Sequence, residues 1–329
     1  MHQIYVGDLA LTRRNSLLVR YPLSEDVPTD LNAVSTLWHY VFYNELRVAP
    51  EEQPVIMDVP PYISDEQRER IVQIMFETLN VPYLFLKCSP VLALLSSGRR
   101  TGVVVHSNFR DTTYVAPVYE GQVVQNATLK LNVAGGDLVE FMRKLLVERN
   151  DHYRDVPYEV ASEIVDKLCV VALDFRHALV LPVNSKFKLP DGNVIELSNE
   201  RFICPEALFN PSLIGFEATG DDDASLGLHQ AVFSSIMKCD AHMRPELFKN
   251  IVLSGKAMKI QFVDHRLEVE LLKLVKGRMF VNVAKEDNID ILSWHGASVL
   301  SYRLRDEDYI SRAEYDEHGP CVVHAKCPT

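Results

Sequence analysis

The chain has 329 residues, 47% of them apolar, and a formal charge of −11; it is long enough for two domains or one large bilobal body with real cores. The acidic balance argues against direct nucleic-acid binding, which needs clustered Lys and Arg to displace counterions, and favours basic protein partners or none. Cys88, Cys169, Cys204, Cys239, Cys321 and Cys327 show no CxxC spacing and read as free thiols of a reducing compartment, and no apolar run reaches the roughly 18 residues of a membrane helix.

Folded-looking sequence begins almost at once after Met1, so no leader is expected. Leu17-Leu18-Val19-Arg20-Tyr21 reads as a short strand before a polar loop with Pro22 and Pro28. Asp30 is an N-cap for a helix whose Leu31, Val34, Leu37, Trp38 and Val41 fall at near-helical spacing, with Trp38 as core packing. Residues 54–59 read as a buried parallel strand closed by Pro60-Pro61. Ser64 and Gln67 form a capping box before a helix with the apolar face Ile71, Ile74, Met75 and Leu79. A strand over 81–86 and a helix over 90–95, ending near Gly98, follow.

Gly102 then opens a valine strand, the polar residues His106 to Asp111 form a turn, and Tyr114, Val115 and Val118 resume an extended pattern. Tyr119-Glu120-Gly121-Gln122 is a hairpin turn, 128–133 a strand, and Ala134-Gly135-Gly136-Asp137 leads into a helix over 138–149. Residues 151–180 add a helical region centred on 163–169. Pro190-Asp191-Gly192-Asn193 turns a hairpin between 186–189 and 194–197, and 205–209 is a short helix. Asp221-Asp222-Asp223 is read as a solvated loop, since three consecutive acids lack glycine-punctuated metal-ligand spacing. Residues 231–237 form a helix, 251–255 a strand running into a turn, 267–274 a helix and 280–283 a strand. Over 288–302 the expectation is a strand, a turn at Gly296 and a short helix. The order implies an α/β fold, a mixed sheet with helices on its faces.

A strand, tight turn and second strand is where an α/β domain holds a phosphate. Such a turn needs glycines for close backbone approach and usually an acid to hold the metal. The turn after Val105 has neither; it carries His106, Asn108, Phe109 and Arg110. Ser254-Gly255-Lys256 resembles the end of a phosphate loop but lacks a glycine four residues before Gly255. No HExxH, GxSxG or Walker A occurs, and the scattered histidines read as structural or surface residues.

Several stretches resemble actin nearly word for word. They are Phe42-Tyr43-Asn44-Glu45-Leu46-Arg47-Val48-Ala49-Pro50-Glu51-Glu52, Gln73-Ile74-Met75-Phe76-Glu77-Thr78-Leu79-Asn80-Val81-Pro82, Cys204-Pro205-Glu206-Ala207-Leu208-Phe209 and Ser235-Ile236-Met237-Lys238-Cys239-Asp240. Asn199-Glu200-Arg201-Phe202 and Glu314-Tyr315-Asp316-Glu317-His318-Gly319-Pro320 belong with them. By these runs the chain is identified as a member of the actin and actin-related family, co-linear from about Tyr5 to Cys327. The resemblance implies a bilobal fold of two related α/β domains, with ATP and Mg or Ca in the cleft between them. It also implies an arrangement of 1–95 as the remainder of a first lobe, 96–295 as the second lobe and 296–329 as a return to the first.

Carried over residue by residue, the resemblance also implies that the nucleotide site is degenerate. The family's first phosphate loop, and the loop that bridges filament subunits, would precede Tyr5. The second phosphate loop, Asp-Ser-Gly-Asp-Gly in actin, reads His106-Ser107-Asn108-Phe109-Arg110 here, keeping only the serine. The water-positioning glutamine falls at Ser89, and the adenine-contacting Arg and Lys fall at Ser162 and Val165, with the adjacent acid kept as Asp166. The last phosphate loop keeps Gly255 but has Lys256 where actin has glycine. Lys256 and Arg110 are expected to pair with Asp166 and Asp111, or to hold another anion. Near the family's plug segment about seven residues look inserted around 221–227, and the barbed-end rim is charged, with Arg303, Arg305, Asp306 and Asp308 ahead of Tyr309 as partner-binding candidates.

The resulting expectation is a pseudo-ATPase with no catalytic residue, no metal and no nucleotide. It would serve as a structural or adaptor subunit of a cytoskeletal assembly, in cytoplasm and cytoskeleton, with a cilium or flagellum as the narrower placement. Its partners would be proteins, one of them covering an open edge of the first lobe by adding a strand, with no membrane and no direct nucleic-acid contact. The alternatives are a nuclear chromatin-remodelling subunit and an ATP-binding filament protein with weak ATPase.

Overall fold

The computed structural model describes residues 5–13, 16, 18–19, 21–24, 27–108, 110–150, 153–180, 184–189, 192–217 and 223–328. The chain divides into two compact units, one of Met1–Ser89 with Leu300–Thr329 and the other of Pro90–Val299.

The amino-terminal part holds α1 (Asp8–Thr12), the short hairpin β1 (Leu23–Ser24) and β2 (Val27–Pro28), α2 (Leu31–Tyr40), β3 (Pro54–Val59), α3 (Asp65–Gln73) and β4 (Tyr83–Cys88). Of the strand expected over 17–21, Leu18, Val19 and Tyr21 lie outside any strand and Leu18 is 85% exposed, while Leu17 and Arg20 lie outside the described residues. An apolar run alone cannot make a strand without a ladder neighbour. Here the Thr29 and Asp30 N–H groups close the following loop on the Pro22 carbonyl at 3.0 and 3.4 Å.

Helix α2 starts as its sequence dictates, with Asp30 Oδ1 accepting from the Ala33 N–H at 3.1 Å. It continues as a π-helical turn over Val41–Leu46, which Arg47 ends in the left-handed region at φ 56°. Trp38 is half-buried rather than core; Val34 is the fully covered residue of α2. The Ser64–Gln67 capping box is formed in both directions, at 3.0 and 3.2 Å, and Ile71, Ile74, Met75 and Leu79 are buried. β3 and β4 pair in parallel over their whole length, from Pro54↔Tyr83 to Val59↔Cys88.

Helix α4 (Ser89–Ser96) ends before Gly98, whose φ of 72° reverses the chain. The central sheet of the second unit is built from β5 (Gly102–Ser107), β6 (Thr113–Tyr119), β7 (Gln122–Val123) and β8 (Leu129–Lys130). Helices α5 (Gly135–Arg149), α6 (Tyr158–Leu168) and α7 (Phe175–Val180) follow, then the hairpin β9 (Ser185–Lys188) and β10 (Val194–Leu197). The remainder is α8 (Glu200–Glu206), α9 (Leu228–Lys238), α10 (Arg244–Lys249), β11 (Ile251–Ser254), α11 (Val263–Leu274), β12 (Val283–Ala284) and α12 (Leu292–Ser301). In the sheet the order is β12-β11-β5-β6-β7, with β8 on β6; β11 runs parallel to β5 and β12, while β5 and β6 are antiparallel. Val103, Val104 and Val105 are all fully buried, which is why consecutive apolar residues rather than an alternating pattern specify this strand.

Four expectations are corrected in this unit. The strands over 128–133 and 280–283 shorten to two residues each, β8 and the shifted β12. The helix placed at 205–209 is α8, with Pro205 inside it. Proline cannot donate to the carbonyl four residues back, and here the Arg201 carbonyl is taken instead by the Val170 N–H at 3.1 Å, so the helix tolerates it. Gly296 is not a turn but the middle of α12, where an added Cβ would lie 1.9 Å from the Leu92 carbonyl oxygen of α4. The expected 186–197 hairpin is formed, from Ser185↔Leu197 to Lys188↔Val194, although Pro190 and Asp191 of its turn lie outside the described residues.

Strand β13 (Ile310–Ser311) and helices α13 (Arg312–His318) and α14 (Val322–Lys326) complete the first unit, whose sheet order is β13-β4-β3. The buried guanidinium of Arg68 in α3 donates to the Val323 and Cys327 carbonyls, which satisfies the end of α14. All six cysteines are free, and only Cys321 is exposed. Among the described residues no helix is long and apolar enough to cross a membrane.

Candidate functional site

β5 runs two residues further than its valines, so His106 and Ser107 are strand residues rather than loop residues. Register sets His106 beside Tyr114 of β6 and Ser254 of β11. Its ring stacks on Tyr114 with centroids 4.9 Å apart, and Nδ1 lies 3.2 Å from Ser254 Oγ. Burial pushes the His106 pKa down to about 4, so the imidazole is neutral at pH 7 and offers no charge to a metal-bound phosphate. Ser107 is buried, its Oγ 2.7 Å from Thr113 Oγ1. Gly255 follows β11 at φ 90°, and an added Cβ would lie 2.4 Å from the Ser107 carbonyl oxygen and 3.0 Å from His106 Cε1.

The turn from β5 to β6 is closed on itself by Asn108. Its Oδ1 accepts from the Arg110 N–H at 2.9 Å and the Thr112 N–H at 3.1 Å, and its own N–H donates to the Thr112 carbonyl at 3.0 Å. An asparagine that captures N–H groups two and four residues on folds the backbone around its own side chain. The carbonyl side is also occupied. Gly135 N–H donates to Asn108 O and Gly136 N–H to Arg110 O, both at 2.9 Å, so the first turn of α5 points into this turn. Gly136 is required there, because a Cβ would sit 2.2 Å from the Arg110 oxygen. Phe109 lies outside the described residues.

On α6, Asp166 Oδ2 lies 3.9 Å from Lys256 Nζ, with the lysine side chain 50% and the aspartate 32% exposed. That is a long, solvated pair worth about 0–1 kcal/mol. Neighbouring Lys259 is held more closely, 2.8 Å from Asp290. Val165 is fully buried, a packing residue of α6, and Ser162 is half-buried. Ser89 belongs to the first unit, where its Oγ donates to the Val59 carbonyl at 3.0 Å and lies 3.3 Å from Asp58 Oδ2.

In the carboxy-terminal segment Arg303, Arg305 and Asp306 are exposed, and Arg305 is paired locally with Glu307 at 2.7 Å and Asp308 at 3.9 Å. Tyr309 is a correction to the expected docking rim. It is only 7% exposed and meets Tyr83 and Phe85 edge-on, with centroids 6.2 and 6.1 Å apart. Burial first, then the carboxylates of Asp306 and Asp308, push its hydroxyl pKa up. Of the acidic triplet, Asp223 is paired with Lys238, while Asp221 and Asp222 lie outside the described residues.

Sequence reasoning passed over two features. Asn108 between two strands is itself an Asx-turn signal, and it was legible. The second is a buried cluster in which Arg266 donates to Glu206 at 3.0 and 3.1 Å and to Glu270 at 2.8 Å; nothing in residue spacing joins Arg266 to Glu206. Over residues 1–328 the chain matches the family model described as Actin.

Proposed function

Because the chain belongs to the actin family, we propose that it is a structural or adaptor subunit of a cytoskeletal assembly that neither holds nor hydrolyses ATP. The observation that carries this reading is the Asn108 closure. Phosphate binding by such a turn requires backbone N–H groups directed outward, and here the Arg110 and Thr112 N–H groups are spent on Asn108 Oδ1. Around them stand a neutral His106 and, on the neighbouring loop, Lys256 within 3.9 Å of Asp166. A lysine and an aspartate supply no metal carboxylate pair and no transition-state clamp of the kind phosphoryl transfer needs. A subunit of this kind has no nucleotide-driven change of state, which suits a fixed element of an assembly better than a cycling filament.

The test is nucleotide content. The natively purified protein is denatured and released ATP and ADP are measured by chromatography, alongside a thermal-shift titration with Mg·ATP. Less than about 0.1 nucleotide per chain and no shift is the expected result. For scale, ATP at 100 times its Kd would stabilise by about 2.7 kcal/mol. Stoichiometric nucleotide would overturn the reading.

A further inference from the structure

We propose that the outward face of α11 docks an amphipathic helix of a partner protein, laid antiparallel to α11 with an acidic first turn; this rests on the adaptor reading and names the kind of partner. α11 is apolar on two sides. It packs on α9 and β12, and Val263, Leu267 and Leu271 are fully buried. On the opposite side Phe262, Val269 and Leu272 are 46%, 38% and 38% exposed, with His265 exposed between them. Positions 262, 265, 269 and 272 alternate steps of three and four, the spacing at which one helix offers its side chains to another.

A helix with apolar residues all round is one that is covered all round, and among the described residues only one side of α11 is covered. The backbone marks the same face. Phe262 precedes the first turn of α11 at φ 66° and ψ 12°, a left-handed conformation uncommon for a bulky side chain, and its ring lies 6.1 Å from that of His265. That turn holds an aromatic ring at the start of the exposed seam.

Charge selects the occupant. Lys273, Lys276 and Arg278 are exposed at the carboxy-terminal end of the seam; Lys273 lies 3.0 Å from Glu270, while among the described residues Lys276 and Arg278 stand in no ion pair. Acidic residues are favoured in the first turn of a helix, so a partner whose first turn lies over these cations runs antiparallel to α11. A second copy of α11 fits less well. A two-fold axis sets each flank of the helix against the same flank of its mate, so the flank with Glu268 would meet its own carboxylate and the flank with Lys273 its own ammonium. The two chains would each carry −11 as well.

The experiment uses the native full-length protein and a fluorescent helical peptide of about 16 residues, with leucine at alternating steps of three and four, glutamate in its first turn and glutamine elsewhere. A second peptide carries the glutamates in its last turn instead. Expected in the free monomer is ready oxidation of Phe262 and Leu272 by hydroxyl-radical footprinting. The first peptide gives a saturable rise in anisotropy and protects both side chains. Val269→Lys weakens that binding about tenfold or more by setting an ammonium in the apolar contact. Arg278→Ala, a fully surface change, weakens it about two- to fivefold, the size of one exposed ion pair. Absence of saturable binding at millimolar peptide overturns the proposal, as does equal binding of the two peptides or binding unchanged by both substitutions. So does protection of Phe262 and Leu272 already present in the free protein, which assigns the face to the chain itself if the species is monomeric and to a second copy if it is dimeric. Nucleotide released from the same sample would refute the ATP-free reading alone and leave the peptide result standing.

Discussion

Replacing Asn108 with glycine is the most direct probe of the closed turn. The substitution removes the oxygen that accepts from the Arg110 and Thr112 N–H groups at 2.9 and 3.1 Å, the first bond exposed and the second part-buried. A typical net hydrogen bond contributes about 0.5–1.5 kcal/mol, with the exposed one at the low end because water replaces it. Glycine adds about 0.5–1 kcal/mol of backbone freedom in the unfolded chain. The loss is therefore about 1.5–3 kcal/mol. At about 2–4 °C per kcal/mol for a domain of this size, the melting point falls about 3–12 °C by scanning fluorimetry. Asn108→Asp keeps an acceptor in the same place and is expected to melt within about 2 °C of the parent. The glycine variant is expected to show no Mg·ATP shift, because Gly255, His106 and Lys256 are untouched. An unchanged melting point in Asn108→Gly, or an equal loss in Asn108→Asp, would refute the role given to the side chain; an ATP shift in the glycine variant would show that this cap alone excludes nucleotide.

Two further outcomes test the electrostatics. His106 has a pKa of about 4 in the folded protein against about 6.5 unfolded, so the unfolded chain takes up the proton first; the stability is fully present above about pH 6.5 and is lost as pH falls towards 4. The ceiling on that loss is about 3 kcal/mol, lowered by the ring's partial exposure, and urea melts of His106→Gln are expected to flatten over this window relative to the parent. Arg266→Met leaves the Glu206 carboxylate buried without its bidentate partner, the two side chains being 9% and 7% exposed, and is expected to lose about 3–5 kcal/mol; pairing it with Glu206→Leu recovers much of that. A double variant no more stable than the single one would show that packing around Arg266, not charge, holds α8 against α11.

The sequence was most informative where a local rule needs no distant partner. Asp30, the Ser64–Gln67 box and the Glu120–Gly121 hairpin turn each act within four residues, and each formed as read. It was least informative where the deciding atom lies far along the chain. Leu18 and Val19 have strand composition but lie in no strand; Pro205 is tolerated because Val170 takes a carbonyl; Gly296 is explained by Leu92. The same limit applies at the site. Residue types alone give a turn with no glycine and no acid between His106 and Arg110, but not that Asn108 Oδ1 accepts from the N–H groups of that turn, nor that Val165 and Tyr309 are buried in packing.

Gly255 shows why a glycine beside a candidate phosphate loop needs a structural reading before a functional one. Read through its resemblance to the family's last phosphate loop, it suggests phosphate binding. Its geometry requires glycine without any phosphate: φ is 90°, and an added Cβ would fall 2.4 Å from the Ser107 carbonyl oxygen, a backbone atom fixed by the β5–β11 ladder. Its N–H is already engaged, donating to the Ile289 carbonyl at 2.9 Å. The position is thus held by packing of β11 against β5, a constraint that needs no ligand. Lys256, one residue on, bears no such constraint and is where a bulky charged side chain has been accepted. The fold's own requirements account for a glycine at this position, so its presence does not by itself report on nucleotide binding.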